Sequence, residues 1–60
     1  MNVKEWRLSK LLSQRQLASQ AGITVATLSA IELGKHKASD LTIRKLAKAL
    51  GIKPEEIIIN

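Results

Sequence analysis

His36 is the only histidine of the chain, and Ser39 and Asp40 follow it closely, so one short stretch holds an imidazole, a hydroxyl and a carboxylate. These are the groups of a hydrolytic triad, but at this spacing they are more typical of a loop and a turn. The chain has no cysteine, and no residue stands out as a second metal ligand beside His36. We therefore expect no enzyme activity, no metal and no cofactor.

Charge is distributed unevenly along the sequence. Residues 1–53 hold all ten Lys and Arg side chains against three acidic ones, a local sum of +7, whereas the last seven residues sum to −2. Such a basic surface attracts polyanions, and it is equally compatible with a surface that only keeps the protein in solution. Because no apolar run approaches the roughly 18 residues of a membrane span, we expect a cytoplasmic protein with no membrane partner.

The glycines and the proline divide the sequence into short segments. Gly22, Gly34 and Gly51 each follow about eight residues with helical apolar spacing, and Pro54 suits a first helical position. An apolar residue also precedes each candidate N-cap and recurs five positions later, as in a hydrophobic staple. Together these signals predict helices over 2–10, 14–21, 25–33, 43–50 and 54–58.

The candidate N-caps differ in quality. Ser13 has Gln16 three residues on, which completes a capping box. Thr24 and Thr42 are expected to cap the third and fourth helices, whereas Lys53 is a poor cap.

Segments this short must pack on one another, because helices below about 12 residues are marginal in water. Sixty residues leave room for one domain, spanning 1–60, and little space for a small-molecule pocket. The predicted core is aliphatic apart from one tryptophan: Val3, Trp6, Leu12, Leu17, Ala18, Ala21, Ile23, Leu28, Ile31, Ile43, Leu46, Ala47, Leu50, Ile52 and Ile57.

The segment from Gln14 to Ile31 has the constraints of two helices that cross over a tight turn. Ala18 supplies a small side chain at the crossing, Gly22 tolerates a positive φ in the turn, and Leu28 anchors the second helix. This pattern predicts a helix-turn-helix, with an αα-corner that binds no ligand as the alternative.

At these positions the chain resembles the lambdoid phage repressor and Cro family, also called XRE-like. The resemblance covers about residues 3–58 and rests on Arg7, Leu12-Ser13-Gln14, Leu17-Ala18, Gly22-Ile23-Thr24, Leu28, Ile31-Glu32, Gly34 and the run from Thr42 to Gly51. It implies an all-α, compact five-helix lambda-repressor-like domain that binds double-stranded DNA. It also implies a transcriptional regulator, usually a repressor, that binds operators as a homodimer with its third helix in the major groove.

The resemblance assigns roles to individual residues. Contacts to DNA phosphates are expected at Gln14, Arg15, Lys35, His36 and Lys37, which add affinity without reading sequence. Arg7 and Glu32 are expected to form a structural ion pair between the first helix and the end of the third. Because Glu32 lies between Ile31 and the Gly34 stop, we predict a largely desolvated pair whose disruption costs on the order of 3 kcal/mol.

Base contacts are expected from one face of the third helix, at Thr24, Val25, Ala26, Thr27, Ser29 and Ala30. The sequence departs from the family here, since none of these is Arg, Gln, Asn or Lys, the side chains that read guanine or adenine with two hydrogen bonds. We expect instead contacts of Val25, Ala26 and the Thr27 methyl with thymine methyls, and hydrogen bonds from Ser29 or Thr24. Specificity would then depend on A·T content and DNA shape.

Leu11 is a second departure, because it stands where the family often ends its first helix with glycine or a polar residue.

The isoleucine run at the end of the sequence suggests a subunit contact, with Ile58 and Ile59 as candidates for the dimer interface. The favoured function is a DNA-binding regulator on a partly palindromic operator. The alternative is a protein-interaction module on the same fold, antitoxin-like or part of a larger regulator, with weak or non-specific DNA binding.

Overall fold

Four α-helices form the fold in the computed structural model, which describes residues 1–58. They span Val3–Ser9 (α1), Gln14–Ala21 (α2), Val25–Glu32 (α3) and Asp40–Leu50 (α4), and a single turn of 3-10 helix spans Pro54–Glu56. No β-strand occurs within residues 1–58, in agreement with the predicted all-α class. None of the described helices is long and apolar enough to cross a membrane.

Side-chain caps fix the starts of the first two helices. Asn2 Oδ1 accepts from the Glu5 amide at 2.9 Å, and Glu5 Oε1 accepts from the Asn2 amide at 2.9 Å. The predicted capping box of α2 is confirmed, with Ser13 Oγ 3.0 Å from the Gln16 amide and Gln16 Oε1 2.8 Å from the Ser13 amide. These bonds satisfy amides that have no partner inside the helix.

Helix α4 begins three residues earlier than predicted. Ser39, not Thr42, is its N-cap, and Ser39 Oγ accepts from the Thr42 amide at 3.2 Å. Leu41 is 63% exposed, so the predicted staple between Leu41 and Leu46 is wrong. Two hydroxyl residues three positions apart are both good caps by type, and only the tertiary position of the chain distinguishes them.

The predicted fifth α-helix over 54–58 is also wrong, because only the 3-10 turn Pro54–Glu56 forms there. The Glu56 carboxylate accepts from the Lys53 amide at 2.8 Å, as expected for a first helical turn. The chain then becomes extended at Ile57, which buries its side chain in the core. Burial of Ile57 therefore ends the turn before an α-helix can develop.

The end of α1 is unusual. The helix ends at Ser9, and Leu11 adopts a left-handed conformation with φ of 57° while its side chain is 91% exposed. This conformation allows the Leu12 amide to donate to the Arg7 carbonyl at 3.1 Å. A leucine is strained there because its Cβ crowds the following carbonyl oxygen, so the departure at Leu11 from the glycine or polar residue that the resemblance implies leaves a strained turn.

The hydrophobic core joins all the helices, with α2 packed against both α3 and α4, and α1 against α3 and α4. All fifteen predicted core residues lie in this core or pack against it. The prediction missed three residues: Ala38, which is 6% exposed, Ala49, which packs against the core, and Arg7, which is 8% exposed. Leu17, Leu28 and Leu46 are fully buried at the centre.

Candidate nucleic-acid interface

The turn between α2 and α3 has the geometry predicted for a helix-turn-helix. Gly22 has φ of 71° and ψ of 32°, and the Ile23 amide donates to the Ala18 carbonyl at 3.0 Å, as in a Schellman cap. A Cβ on Gly22 would meet open space, so it is the left-handed backbone alone that favours glycine there. Ala18 is 2% exposed, in agreement with its predicted place at the helix crossing.

Helix α3 presents small side chains to the solvent. Leu28 and Ile31 are buried, and Ala26 lies on the opposite side of the helix. Thr24, Val25 and Ala26 are exposed, while Thr27, Ser29 and Ala30 are half-buried. The six residues predicted to face DNA bases are thus accessible to different degrees, and the 66% exposed Leu33 follows on the side of Ala26, two turns later.

The two threonines of this face bond to one another. Thr24 Oγ1 accepts from the Thr27 amide at 3.0 Å as the N-cap of α3, and it donates to Thr27 Oγ1 at 2.9 Å. The hydroxyl hydrogen of Thr24 is therefore engaged within the helix end. Hydrogen bonds to bases were expected from Ser29 or Thr24, and Ser29 is therefore the one with the freer hydroxyl.

The loop between α3 and α4 carries the predicted basic residues. Lys35, His36 and Lys37 are all exposed. The amides of Lys35 and His36 donate to the Ala30 carbonyl at 2.9 and 3.3 Å, so the loop is tied to the end of α3. Ala38 anchors its other end in the core, a role that sequence analysis missed because a lone alanine beside three basic residues carries no periodic signal.

Arg7 and Glu32 form an ion pair in which both side chains are nearly inaccessible, at 9% and 3% exposure. Arg7 Nε lies 2.8 Å from Glu32 Oε2 and Arg7 Nη2 lies 3.2 Å from Oε1, a two-pronged arrangement. Arg7 Nη1 also donates to the Leu12 carbonyl at 2.9 Å. The pair holds α1 and the loop after it against the end of α3.

Gln14 joins this network. Its Nε2 donates to Glu32 Oε1 at 3.0 Å, which connects the first residue of α2 to the last residue of α3. Gln14 is half-buried, and its neighbour Arg15 is exposed. In residues 1–58 no protein acceptor binds the amides of Gln14 and Arg15, so both are available to an anion.

The structure gathers most of the predicted site residues around the helix-turn-helix. Ile58 lies elsewhere: its amide donates to the Met1 carbonyl at 3.0 Å, and its 58% exposed side chain borders a groove with Asn2 and Leu33. Ile59 lies outside the described residues. Among residues 1–58 no group of three His, Cys, Asp or Glu side chains could hold a metal ion.

Comparisons with known proteins agree with this geometry. The model of the helix-turn-helix family matches residues 3–57. An uncharacterized HTH-type transcriptional regulator of Methanocaldococcus jannaschii is 39% identical over 57 residues, which cover 95% of this chain and 86% of the relative.

A solved structure is also similar, that of the restriction-modification controller protein C.AhdI from Aeromonas hydrophila. It superimposes with a TM-score of 0.91 at 38% identity, over 93% of this chain and 85% of that protein. With the family model matched over nearly the whole chain, the protein belongs to the XRE-like helix-turn-helix family of DNA-binding transcriptional regulators.

Proposed function

We propose that the chain is a repressor that places α3 in the major groove of a partly palindromic operator and binds as a homodimer. The observation that carries this proposal is the surface of α3, where small side chains are exposed at Thr24, Val25 and Ala26 beside an exposed basic loop. Small side chains let the helix approach the floor of the groove closely.

Cations around α3 provide the electrostatic part of binding. Arg15 stands at the start of α2, and Lys35 and Lys37 stand in the loop after α3. Three such cations in each subunit give six phosphate contacts in a dimer, which predicts a loss of affinity of about 10³ between roughly 50 and 200 mM salt. The free amides of Gln14 and Arg15 add a further site for a phosphate oxygen.

Sequence preference should come from thymine methyls and DNA shape. Val25 and Ala26 present only carbon atoms, and the Thr24 hydroxyl is engaged by Thr27. We expect selection from random duplexes to return A·T-rich half-sites about 34–36 Å apart. Strong selection for a guanine at the centre of each half-site would contradict this reading of α3.

A matched pair of charge variants tests the position of the DNA. Ala26→Glu places a carboxylate on the outward face of α3, whereas Gln20→Glu places one on the exposed side of α2. Both residues are exposed, so neither change should unfold the domain. We expect Ala26→Glu to weaken binding to a selected duplex at least tenfold more than Gln20→Glu does, because it sets a charge against the bases. Equal effects would show that α3 does not enter the groove.

A second candidate function is a protein-interaction module on the same fold, antitoxin-like or part of a larger regulator. The observation that favours it is the same surface of α3, which carries no forked polar side chain for a base. This candidate predicts that binding to duplex DNA is weak and insensitive to Ala26→Glu. The salt titration and the charge variants therefore separate the two functions.

A further inference from the structure

A cation of the first helix, Lys4, lies beside the end of α3. Lys4 lines a groove of about 90 Å³ together with Leu33 and Gly34, the two residues that follow α3. Lys35, the first cation of the basic loop, comes directly after Gly34. The fold therefore brings Lys4, which is distant in sequence, next to the start of the basic loop.

The geometry of α1 explains this placement. Arg7 follows Lys4 by one turn on the same side of the helix, and it reaches Glu32 at the end of α3. Another side of α1 carries Trp6 and Lys10, with Lys10 Nζ 5.9 Å from the centre of the indole ring. The indole N–H bonds to the 3-10 turn, so this side faces away from the end of α3. Lys4 and Lys10 thus extend from the same helix toward different parts of the domain.

The charge of Lys4 is not neutralised within the described part of the chain, where the ion pair that forms is Arg7–Glu32. Glu32 lines the same groove as Lys4, but Arg7 already holds its carboxylate. The carboxylate of the neighbouring Glu5 is engaged in the cap of α1. Lys4 and Lys35 are both exposed. The end of α3 is therefore bordered by two accessible cations whose repulsion an anion would relieve.

We infer that Lys4 binds a phosphate of the DNA backbone and extends the contact of the basic loop onto α1. The inference rests on the proposed function and adds one residue to its site. Sequence analysis expected phosphate contacts only from α2 and from the loop after α3, because the position of Lys4 depends on how α1 packs against α3. An ammonium group acts as a point charge toward phosphate oxygens, so Lys4 would add affinity without reading sequence.

An apolar peptide is the competing occupant of this groove, because Leu33 and Ile58 border it with exposed side chains. At about 90 Å³ the groove is far smaller than the roughly 300–1,000 Å³ of a ligand pocket. A phosphate needs no enclosed pocket, since it can meet the exposed ammonium from the solvent side. The unneutralised cations therefore favour DNA, and a peptide partner predicts that removal of the Lys4 charge leaves DNA binding unchanged.

The test compares Lys4→Gln with Lys10→Gln in titrations of a duplex that carries one half-site, between about 50 and 200 mM salt. Each change removes one positive charge from an exposed residue at an end of α1. Lys4→Gln should reduce the slope of log affinity against log salt by about 0.9, the value of one phosphate contact, and Lys10→Gln by less than about 0.3. Lys4→Arg should keep the wild-type slope because it keeps the charge. Circular dichroism verifies that each variant is folded.

Replacing single phosphates of the duplex by uncharged methylphosphonates locates the contact. At the phosphate that Lys4 binds, the replacement should weaken wild-type binding, whereas Lys4→Gln should lose no more than about twofold because its cation is already gone. At other phosphates Lys4→Gln should respond as the wild type does. The inference is overturned if Lys4→Gln loses no more of the salt slope than Lys10→Gln, if Lys4→Arg loses as much as Lys4→Gln, or if no methylphosphonate distinguishes Lys4→Gln from the wild type.

Failure of this inference can be told apart from failure of the proposed function. Ala26→Glu and Lys35→Gln act at the proposed DNA site itself, on α3 and in the basic loop. If both weaken binding to the half-site while Lys4→Gln does not, the DNA site is retained and the contact of Lys4 is rejected. If neither weakens binding, the proposed function is rejected together with the inference.

Discussion

Replacing Glu32 by glutamine removes the negative charge of a nearly inaccessible ion pair. The carboxylate accepts from Arg7 Nε at 2.8 Å, from Arg7 Nη2 at 3.2 Å and from Gln14 Nε2 at 3.0 Å. Glutamine keeps one acceptor oxygen and turns an NH₂ group toward these donors. The guanidinium of Arg7 then remains in a site where it is 9% exposed, without a counter-charge. Because Arg7 keeps its bond to the Leu12 carbonyl, we expect the free energy of unfolding to fall by about 3 kcal/mol, which is at the lower end of the range for breaking a buried ion pair.

This cost is large for so small a domain. At roughly 0.05–0.15 kcal/mol per residue, the free energy of unfolding of a chain this long is about 3–9 kcal/mol. Each kcal/mol shifts the Tm of such a domain by about 4–8 °C, so Glu32→Gln should lower the Tm by about 12–24 °C. Thermal and urea unfolding followed by circular dichroism measure the change. Fluorescence of Trp6 is a second probe, because its indole N–H donates to the Glu56 carbonyl at 3.1 Å.

The control for this experiment is Glu55→Gln, the same chemical change at an exposed carboxylate, which should alter the free energy of unfolding by less than about 0.5 kcal/mol. A loss below about 1 kcal/mol in Glu32→Gln would show that the pair behaves as an exposed salt bridge, and the argument from desolvation would be wrong. The double variant Arg7→Met with Glu32→Met should regain part of the loss, because no charge is left stranded.

Three other predictions address the strained turn, the start of α4 and the basic loop. Leu11→Gly should raise the free energy of unfolding by about 0.5–1 kcal/mol relative to Leu11→Ala, because only glycine relieves the left-handed backbone; a more stable Leu11→Ala would contradict this. Because Ser39 is the N-cap, Ser39→Ala should lower the free energy of unfolding, measured in urea, by about 1 kcal/mol, and Thr42→Ala should lower it by less than about 0.5 kcal/mol. The reverse order would show that Thr42 is the cap of α4. Lys35→Gln combined with Lys37→Gln should reduce the slope of log affinity against log salt by about 3 to 4 in a dimer. An unchanged slope would show that the loop does not contact DNA.

Sequence reasoning predicted the parts of the fold that are set by local rules. Gly22 and Gly51 end their helices in the left-handed conformation because few other residues adopt it without strain. The Ser13 cap and the apolar periodicity of α2 and α3 act over one or two turns, and both helices have nearly their predicted bounds. The core followed from the same periodicity, since a buried stripe recurs every three or four residues.

The failures occurred where a non-local contact decides the structure. Ser39 and Thr42 are equal as caps by type, and the anchoring of Ala38 in the core selects Ser39. The 3-10 turn stops at Glu56 because Ile57 is drawn into the core.

The sequence could name candidate residues around the helix-turn-helix but not the contacts among them. The Gln14–Glu32 hydrogen bond joins residues 18 apart in sequence, and the mutual bond of Thr24 and Thr27 depends on side-chain conformation. No pattern of residue types encodes either contact.

The central claim is that α3 is the surface that meets DNA, and amide chemical shifts test it most directly. In a titration of the ¹⁵N-labelled chain with a selected duplex, we expect the largest shifts at residues 24–30, with further shifts at Gln14, Arg15 and the loop from Lys35 to Lys37. The exposed outer side of α4, at Lys45 and Lys48, provides the internal reference and should change little. Shifts confined to other parts of the chain, with residues 24–30 unchanged, would contradict the account.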